Sequence, residues 1–284
     1  MTLYEIDDLE DLASPALVVA FDGWVSAGAA GTATADHLVG DGQVVARFDT
    51  DELIDYRANR PSVDIMEGVI TDVDWPEITI RRQTIEGRDL LVLTGPEPDR
   101  LWRRLAAEIG DLSLELGVAE QITLGGIPWA VPHTRPTALI MTASSSDLVD
   151  PEMGHADGLI RVPGSAANIV AHHLMAREIP VVGYFARVPH YVAGTYYPAV
   201  VALIERVAAH LNVSISAASL VDEAADQRKR LDEILEEQPQ VAAIVRRLED
   251  LADRSGDVSG SELAAEIERY LERQADETFP DDIG

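Results

Sequence analysis

Short apolar runs that alternate with stretches of helical length most constrain the fold of this 284-residue chain. The run Ala16–Phe21 is bounded by Pro15 and by Asp22-Gly23, which is typical of a strand buried on both faces. The Ala-rich segment Ser26–Val39 follows, and we expect a helix there with Ser26 as its N-cap. This alternation predicts an α/β domain: a mostly parallel or mixed sheet flanked by helices.

The same pattern continues to about residue 211. We expect further strands at Gln43–Phe48, Glu120–Leu124, Ala138–Ala143 and Val181–Val188, and a hairpin made of Glu77–Ile85 and Asp89–Leu93. Predicted helices cover Pro98–Leu116, Gly164–Ile179 and Tyr196–Leu211. The segment Ile127–Pro136 contains three prolines, and we expect it to be irregular.

The composition changes after residue 221, where no strand pattern remains. Three segments carry apolar residues at helical spacing: Asp222–Glu237, Pro239–Arg254 and Ser261–Gln274. We therefore divide the chain into an α/β domain, residues 1–221, and a helical C-terminal extension with an acidic tail, residues 222–284.

Charge and composition exclude several classes of function. With 50 acidic and 22 basic residues the chain has a net charge of −28, which disfavours binding to nucleic acid or to anionic membranes. The chain has no Cys, so disulfides and thiol catalysis are excluded. A hydrophobic content of 46% is enough for a sizeable core. We expect a cytoplasmic protein, because neither a signal peptide nor a membrane-spanning stretch is apparent.

Two candidate ligand-binding segments lie at predicted helix starts. Asp22, Gly23 and Trp24 join the first strand to the first helix, and Gly164-Ser165 opens a later helix. The N-terminus of a helix offers free N–H groups to anions. The alternative is structural: Asp22 or Ser165 caps its helix and Trp24 packs in the core.

Three more candidates follow predicted strands. Arg135 lies in the Pro-rich segment and suits carboxylate or phosphate, Ser144 opens a polar loop, and His190-Tyr191 follows the last strand. The strand-end candidates could meet at one edge of a parallel sheet, where α/β proteins bind ligands. The alternative for Arg135 is a structural ion pair, and for Ser144 a turn.

No catalytic signature accompanies these residues. The chain has neither a Gly-x-Ser-x-Gly elbow nor a His-Glu-x-x-His motif, and we expect no metal site and no cofactor. The residues leave open whether the chain is an enzyme.

An ordered series of motifs resembles the proteasome assembly chaperone 2 family, and most closely its actinobacterial branch. The motifs are Phe21-Asp22-Gly23-Trp24-x-x-Ala27-Gly28, Thr94-Gly95-Pro96-Glu97-Pro98-Asp99, Gly126-Ile127-Pro128, Pro132-His133-Thr134-Arg135-Pro136, Pro163-Gly164-Ser165-Ala166-Ala167-Asn168 and Val188-Pro189-His190-Tyr191. The resemblance implies a phosphorylase/hydrolase-like fold, a homo-oligomer such as a trimer, and proteasome subunits as partners.

Three functions remain open at this point. The first is a non-catalytic binding or assembly protein of the family's type. The second is an enzyme or sensor for a small anionic or nucleoside-like ligand at the carboxyl ends of the strands. The third is an oligomeric scaffold whose acidic helical tail keeps it in solution.

Overall fold

The computed structural model describes residues 2–7, 12–155 and 158–254. Ten strands occur in this part of the chain: β1 Tyr4–Ile6, β2 Ala16–Asp22, β3 Gln43–Phe48, β4 Ser62–Met66, β5 Val69–Asp74, β6 Thr79–Ile85, β7 Arg88–Pro96, β8 Glu120–Trp129, β9 Leu139–Ala143 and β10 Val181–Pro189. Its α-helices are α1 Ala30–Val39, α2 Thr50–Leu53, α3 Trp102–Glu115, α4 Ala166–Met175, α5 Tyr197–Leu211, α6 Ala218–Glu237 and α7 Pro239–Ala252.

Eight strands form one mixed sheet in the order β1-β3-β6-β7-β2-β8-β10-β9, and β4 and β5 form a separate hairpin. The four neighbours β7, β2, β8 and β10 run parallel, while the remaining pairings in the large sheet are antiparallel. The predicted α/β fold with a mixed sheet is confirmed. The four parallel strands end at one edge, which we call the carboxyl edge.

Helices cover both faces of the sheet, and β2 shows why. Its residues alternate between two clusters: Leu17, Val19 and Phe21 pack with α3 and α4, whereas Ala16, Val18 and Ala20 pack with α1 and α5. Successive side chains of a strand point to opposite faces, so an uninterrupted apolar run is what a sheet covered on both sides requires.

Two glycines, one in α1 and one in β8, allow the start of α1 to lie close to β8. A Cβ on Gly31 would lie 2.6 Å from the Leu124 carbonyl oxygen, and one on Gly126 would lie 2.1 Å from the carbonyl oxygen of Ala27. The prediction that Ser26 is the N-cap of α1 is wrong. A 3-10 turn at Ala27–Ala29 intervenes, and Ser26 Oγ instead donates to the Gly23 carbonyl at 2.9 Å.

One local prediction differs from the structure, and one element was not predicted. Strand β8 continues to Trp129, although the segment from Ile127 was expected to be irregular; pairing with β10 extends it. The β4–β5 hairpin was not predicted. Helices α6 and α7 fall where the first two segments after residue 221 were expected, while Ser261–Gln274 lies outside the described residues.

Within the described ranges, none of the helices combines the length and the apolar character needed to cross a membrane.

Candidate functional site

The carboxyl edge collects most of the candidate residues, but not all of them. Asp22 ends β2, and Gly23 and Trp24 follow it. His190-Tyr191 follows β10, whose parallel neighbour β8 leads to Arg135. Ser144 lies at the opposite edge because β9 runs antiparallel to β10. There its hydroxyl accepts the Val181 N–H at 3.1 Å.

The two helix-start candidates are joined by one carboxylate, Glu97, directly after β7. Its Oε2 accepts the Trp24 N–H at 2.9 Å, and its Oε1 accepts the N–H of Ala166, the first residue of α4, at 2.6 Å. Gly23 makes room for this arrangement, since a Cβ there would lie 2.4 Å from the Glu97 Cβ. A carboxylate of the chain itself thus lies where an anion bound to α4 would sit.

Ser165 caps α4 in a reciprocal capping box. Its Oγ accepts the Asn168 N–H at 3.3 Å, and Asn168 Oδ1 accepts the Ser165 N–H at 2.9 Å. This is the structural role considered for Ser165. Gly164 next to it is exposed, and a Cβ there would meet nothing within 4 Å.

Arg135 is held by two carboxylates, one from Glu249 in α7 and one from Asp253 at the end of that helix. Its Nε and Nη2 donate to the two oxygens of Asp253, both at 2.9 Å, and its Nη1 lies 3.4 Å from Glu249 Oε1. The hydrogen bond from Arg135 holds the pKa of Asp253 below its usual range. The forked geometry that suits Arg135 to a carboxylate ligand is used on the protein's own helix.

Tyr191 and the buried His133 form a second link to the C-terminal helices. The Tyr191 hydroxyl accepts the His133 backbone N–H at 2.8 Å and lies 2.8 Å from His133 Nδ1. The other ring nitrogen, Nε2, lies 3.3 Å from Asp232 Oδ1 on α6. Burial raises the pKa of Tyr191 to about 12. His190 itself is exposed, and its N–H donates to the Trp129 carbonyl at 3.2 Å.

Helices α6 and α7 therefore close over the loops that follow β8 and β10 at the carboxyl edge. Gln227 accepts the Tyr197 N–H and donates to the Thr195 carbonyl, while Arg228 donates to the Thr134 carbonyl. Thr134 also donates its hydroxyl to Glu249 at 2.5 Å. The polar groups of this edge mostly bind one another and the two helices.

Sequence reasoning missed two parts of this site. Glu97 lies in the Gly95-Pro96-Glu97 motif, and no role was predicted for it. A carboxylate directly after a strand could have indicated that it belongs to the site. The contacts of Asp232, Glu249 and Asp253 carry no local signal, because they join segments about a hundred residues apart. In the ranges that the structure describes, no cluster of three His, Cys, Asp or Glu side chains could hold a metal ion.

These features define a three-layer α/β protein whose strand-end loops are closed by its own carboxylates and C-terminal helices. A family model described as the PAC2 family matches residues 20–235 of the chain. The chain belongs to the PAC2 family, and the resemblance seen in the sequence is confirmed.

Solved structures agree with this assignment. A Mycobacterium tuberculosis protein of unknown function, Rv2714, is 34% identical, with 96% of each chain covered and a TM-score of 0.85. A protein of unknown function from Corynebacterium glutamicum is 31% identical over 88% of this chain and 97% of that one, with a TM-score of 0.83. A Mycobacterium tuberculosis proteasome-assembly chaperone homologue, Rv2125, is 28% identical over 81% of this chain and 99% of that one, with a TM-score of 0.74. No curated protein matches the chain.

Proposed function

We propose that this PAC2 family member is a proteasome-assembly-chaperone-like protein that acts by binding other proteins and not by catalysis. The observation that carries the proposal is the internal pairing at the carboxyl edge. The groups there that could bind an anion already have partners within the chain. The N–H groups of Trp24 and Ala166 donate hydrogen bonds to Glu97. The guanidinium of Arg135 pairs with Glu249 and Asp253.

The family supports the same conclusion. One relative is a proteasome-assembly chaperone homologue at 28% identity, covering nearly all of its own length. A small anionic or nucleoside-like ligand is less well supported, because it would have to displace Glu97 at the start of α4, or Glu249 and Asp253 at Arg135. Displacing a buried or partly buried carboxylate from two N–H donors costs the ligand much of its binding energy.

Proteasome subunits are the partners that this function requires. The homo-oligomer, the cytoplasmic location and the division of the chain at residue 221 stay predictions.

The test is a reconstitution with purified proteasome α and β subunits. Assembly of the core particle is followed by native electrophoresis, with and without the chain, and the intermediates are examined for the chain by crosslinking and mass spectrometry. We expect a crosslinked intermediate that contains the chain and proteasome subunits and is absent from the finished particle. Unchanged assembly and no crosslink to any subunit would refute the proposal.

A matched pair of variants shows whether the closed edge contributes. In Arg135→Glu the new carboxylate repels Glu249 and Asp253, whereas Arg161→Glu makes the same charge change at an exposed residue on the loop before α4. If both variants support assembly equally, the partner binds elsewhere on the chain.

A further inference from the structure

Helix α7 has a second apolar side that the described part of the chain leaves about half exposed. Ile244 and Leu251 lie seven residues apart, close to two helical turns, so their side chains share one side of the helix. Their exposed fractions are 52% and 46%. A different side of α7 is buried, where Val245 and Leu248 are exposed by only 1% and 6%. The exposed pair is therefore available for a further contact.

The same exposed side carries two cations. Arg247 and Arg254 each lie three residues after one of the apolar pair, so apolar and basic residues alternate along it: Ile244, Arg247, Leu251 and Arg254. We call these four residues the outer stripe of α7. Both arginines are exposed, and neither forms an ion pair within the described residues. A surface that covers the outer stripe must offer apolar side chains together with carboxylates.

The chain itself supplies such a combination a few residues further on. In the segment Ser261–Gln274, for which the sequence predicts a helix, Leu263 and Ile267 lie four residues apart and share one side. Glu262 and Glu266 have the same spacing and follow one flank of that side. The sequence of this segment thus matches what the outer stripe requires.

The connection between the two segments is short. Only residues 255–260 separate them, and two of these six are glycines. Helix–helix connections of 2–8 residues usually join antiparallel neighbours. In an antiparallel arrangement the start of the second segment lies beside the end of the first, which brings Leu263 to Leu251 and Glu262 to Arg254. One turn further along, Glu266 comes to Arg247.

We propose that Ser261–Gln274 docks as an antiparallel helix on the outer stripe of α7. Its apolar side covers the two apolar residues of the stripe, and its two flanking glutamates pair with the two arginines. Because α7 and its end carry Glu249 and Asp253, a segment that holds α7 also supports their contacts with Arg135. The contact goes beyond the proposed function and does not depend on it.

The chain's own segment is a better occupant of the outer stripe than a second copy. A short flexible linker gives a tethered segment an effective concentration of about a millimolar. A second copy would have to reach a comparable concentration in solution to compete for the same surface. The tether therefore favours a contact within one chain.

The first test uses engineered cysteines in the full chain. The chain has no Cys, so a pair of substitutions provides the only thiols. Leu251→Cys with Leu263→Cys should close an intramolecular disulfide, because the docked geometry brings their Cβ atoms near the required separation of about 3.8 Å. The matched control is Leu251→Cys with Ala265→Cys, since position 265 lies about 200° further round the helix than position 263. In a glutathione redox buffer we expect the first pair to form its disulfide at least about tenfold faster, as followed by non-reducing electrophoresis and mass spectrometry.

The second test does not rely on a disulfide. Ile267→Asp places a charge on the apolar side of the segment, whereas Ala265→Asp places the same charge on the opposite side. In chains that carry Leu251→Cys, Ile267→Asp should speed thiol labelling at that position by at least about fivefold and should speed hydrogen exchange in α7. Ala265→Asp should leave both rates unchanged. Circular dichroism and thermal unfolding of each variant confirm that the remainder of the chain is folded.

Four results would overturn the inference. The first is equal rates of disulfide formation in the two cysteine pairs, and the second is a labelling rate that Ile267→Asp does not change. The third is a disulfide found mainly between two chains, which would assign the outer stripe to a second copy. The fourth is a proteasome subunit crosslinked to the outer stripe in the reconstitution, which would reject the docked segment while leaving the proposed function intact.

Discussion

Replacing Glu97 with alanine should destabilise the chain and create an anion site in its place. The carboxylate accepts two backbone N–H groups, from Trp24 at 2.9 Å and from Ala166 at 2.6 Å. A hydrogen bond to a charged group contributes about 1.5–3 kcal/mol, so two contribute about 3–6 kcal/mol at most. Because Glu97 is only partly buried, water replaces some of this, and we expect the free energy of unfolding to fall by about 2–4 kcal/mol.

Phosphate should recover part of the loss in Glu97→Ala, because the freed N–H groups at the start of α4 then face solvent. Phosphate at five times its dissociation constant restores about 1 kcal/mol, by mass action. Urea unfolding, followed by tryptophan fluorescence in chloride and in phosphate at equal ionic strength, measures both effects. Glu97→Gln, which keeps one acceptor, should lose less stability than Glu97→Ala and should gain less from phosphate.

The control is Asp22→Ala, which removes a carboxylate from the same edge. Asp22 is exposed, and its side chain makes no hydrogen bond within the described residues, so the change should stay within about 0.5 kcal/mol. The reasoning about Glu97 is refuted if Glu97→Ala costs less than about 1 kcal/mol. It is also refuted if phosphate stabilises the wild type as much as the variant.

Three further changes test other contacts of the fold. Arg135→Ala should lower the free energy of unfolding by no more than about 1 kcal/mol, because the side chain is 39% exposed, yet it should speed hydrogen exchange in α7. Tyr191→Phe should cost about 1–3 kcal/mol in urea unfolding, because the His133 N–H loses its acceptor. Burial opposes ionisation of Asp89, but hydrogen bonds, chiefly from Arg82, hold its pKa below the usual range. The stability that ionised Asp89 contributes is therefore present above a pH of about 4 and is lost as the pH falls through its lower folded pKa.

Each of these three predictions has a result that would contradict it. Unchanged exchange in α7 would mean that Arg135 does not fix the helix. A cost below about 0.5 kcal/mol for Tyr191→Phe would mean that water satisfies His133 equally well. For Asp89, the melting temperatures of the wild type and of Asp89→Asn should converge as the pH falls below about 4, and a constant difference would contradict the assigned pKa shift.

The central strands could be predicted from the sequence because burial on both faces leaves a continuous apolar run. Ala16–Phe21 and Val181–Val188 each lie within one residue of the observed strands. The hairpin of β4 and β5 escaped prediction because its apolar residues are exposed and interrupted by Asp64 and Asp72. Prediction from sequence depends on apolar patterns that reflect packing within the chain, and the pattern of this hairpin reflects none.

The site was only partly predictable for a different reason. A strand end can be recognised locally, so Asp22, Trp24 and His190 were placed at the correct edge of the sheet. Ser144 was placed with them because the direction of β9 cannot be read from its residues. The partner of Arg135 could not be chosen among 50 acidic residues without the fold that brings Asp253 to it.

The closure of the carboxyl edge by α6 and α7 also sets an order of events during synthesis of the chain. The last strand of the sheet ends at Pro189, whereas Asp253, which holds Arg135, comes 64 residues later (253 − 189). At about 5–20 residues per second, the ribosome needs roughly 3–13 seconds to make that stretch. For that time the sheet is complete in sequence but its Pro-rich loop is open, so each new molecule passes through a stage in which that loop is accessible before its own C-terminal helices cover it.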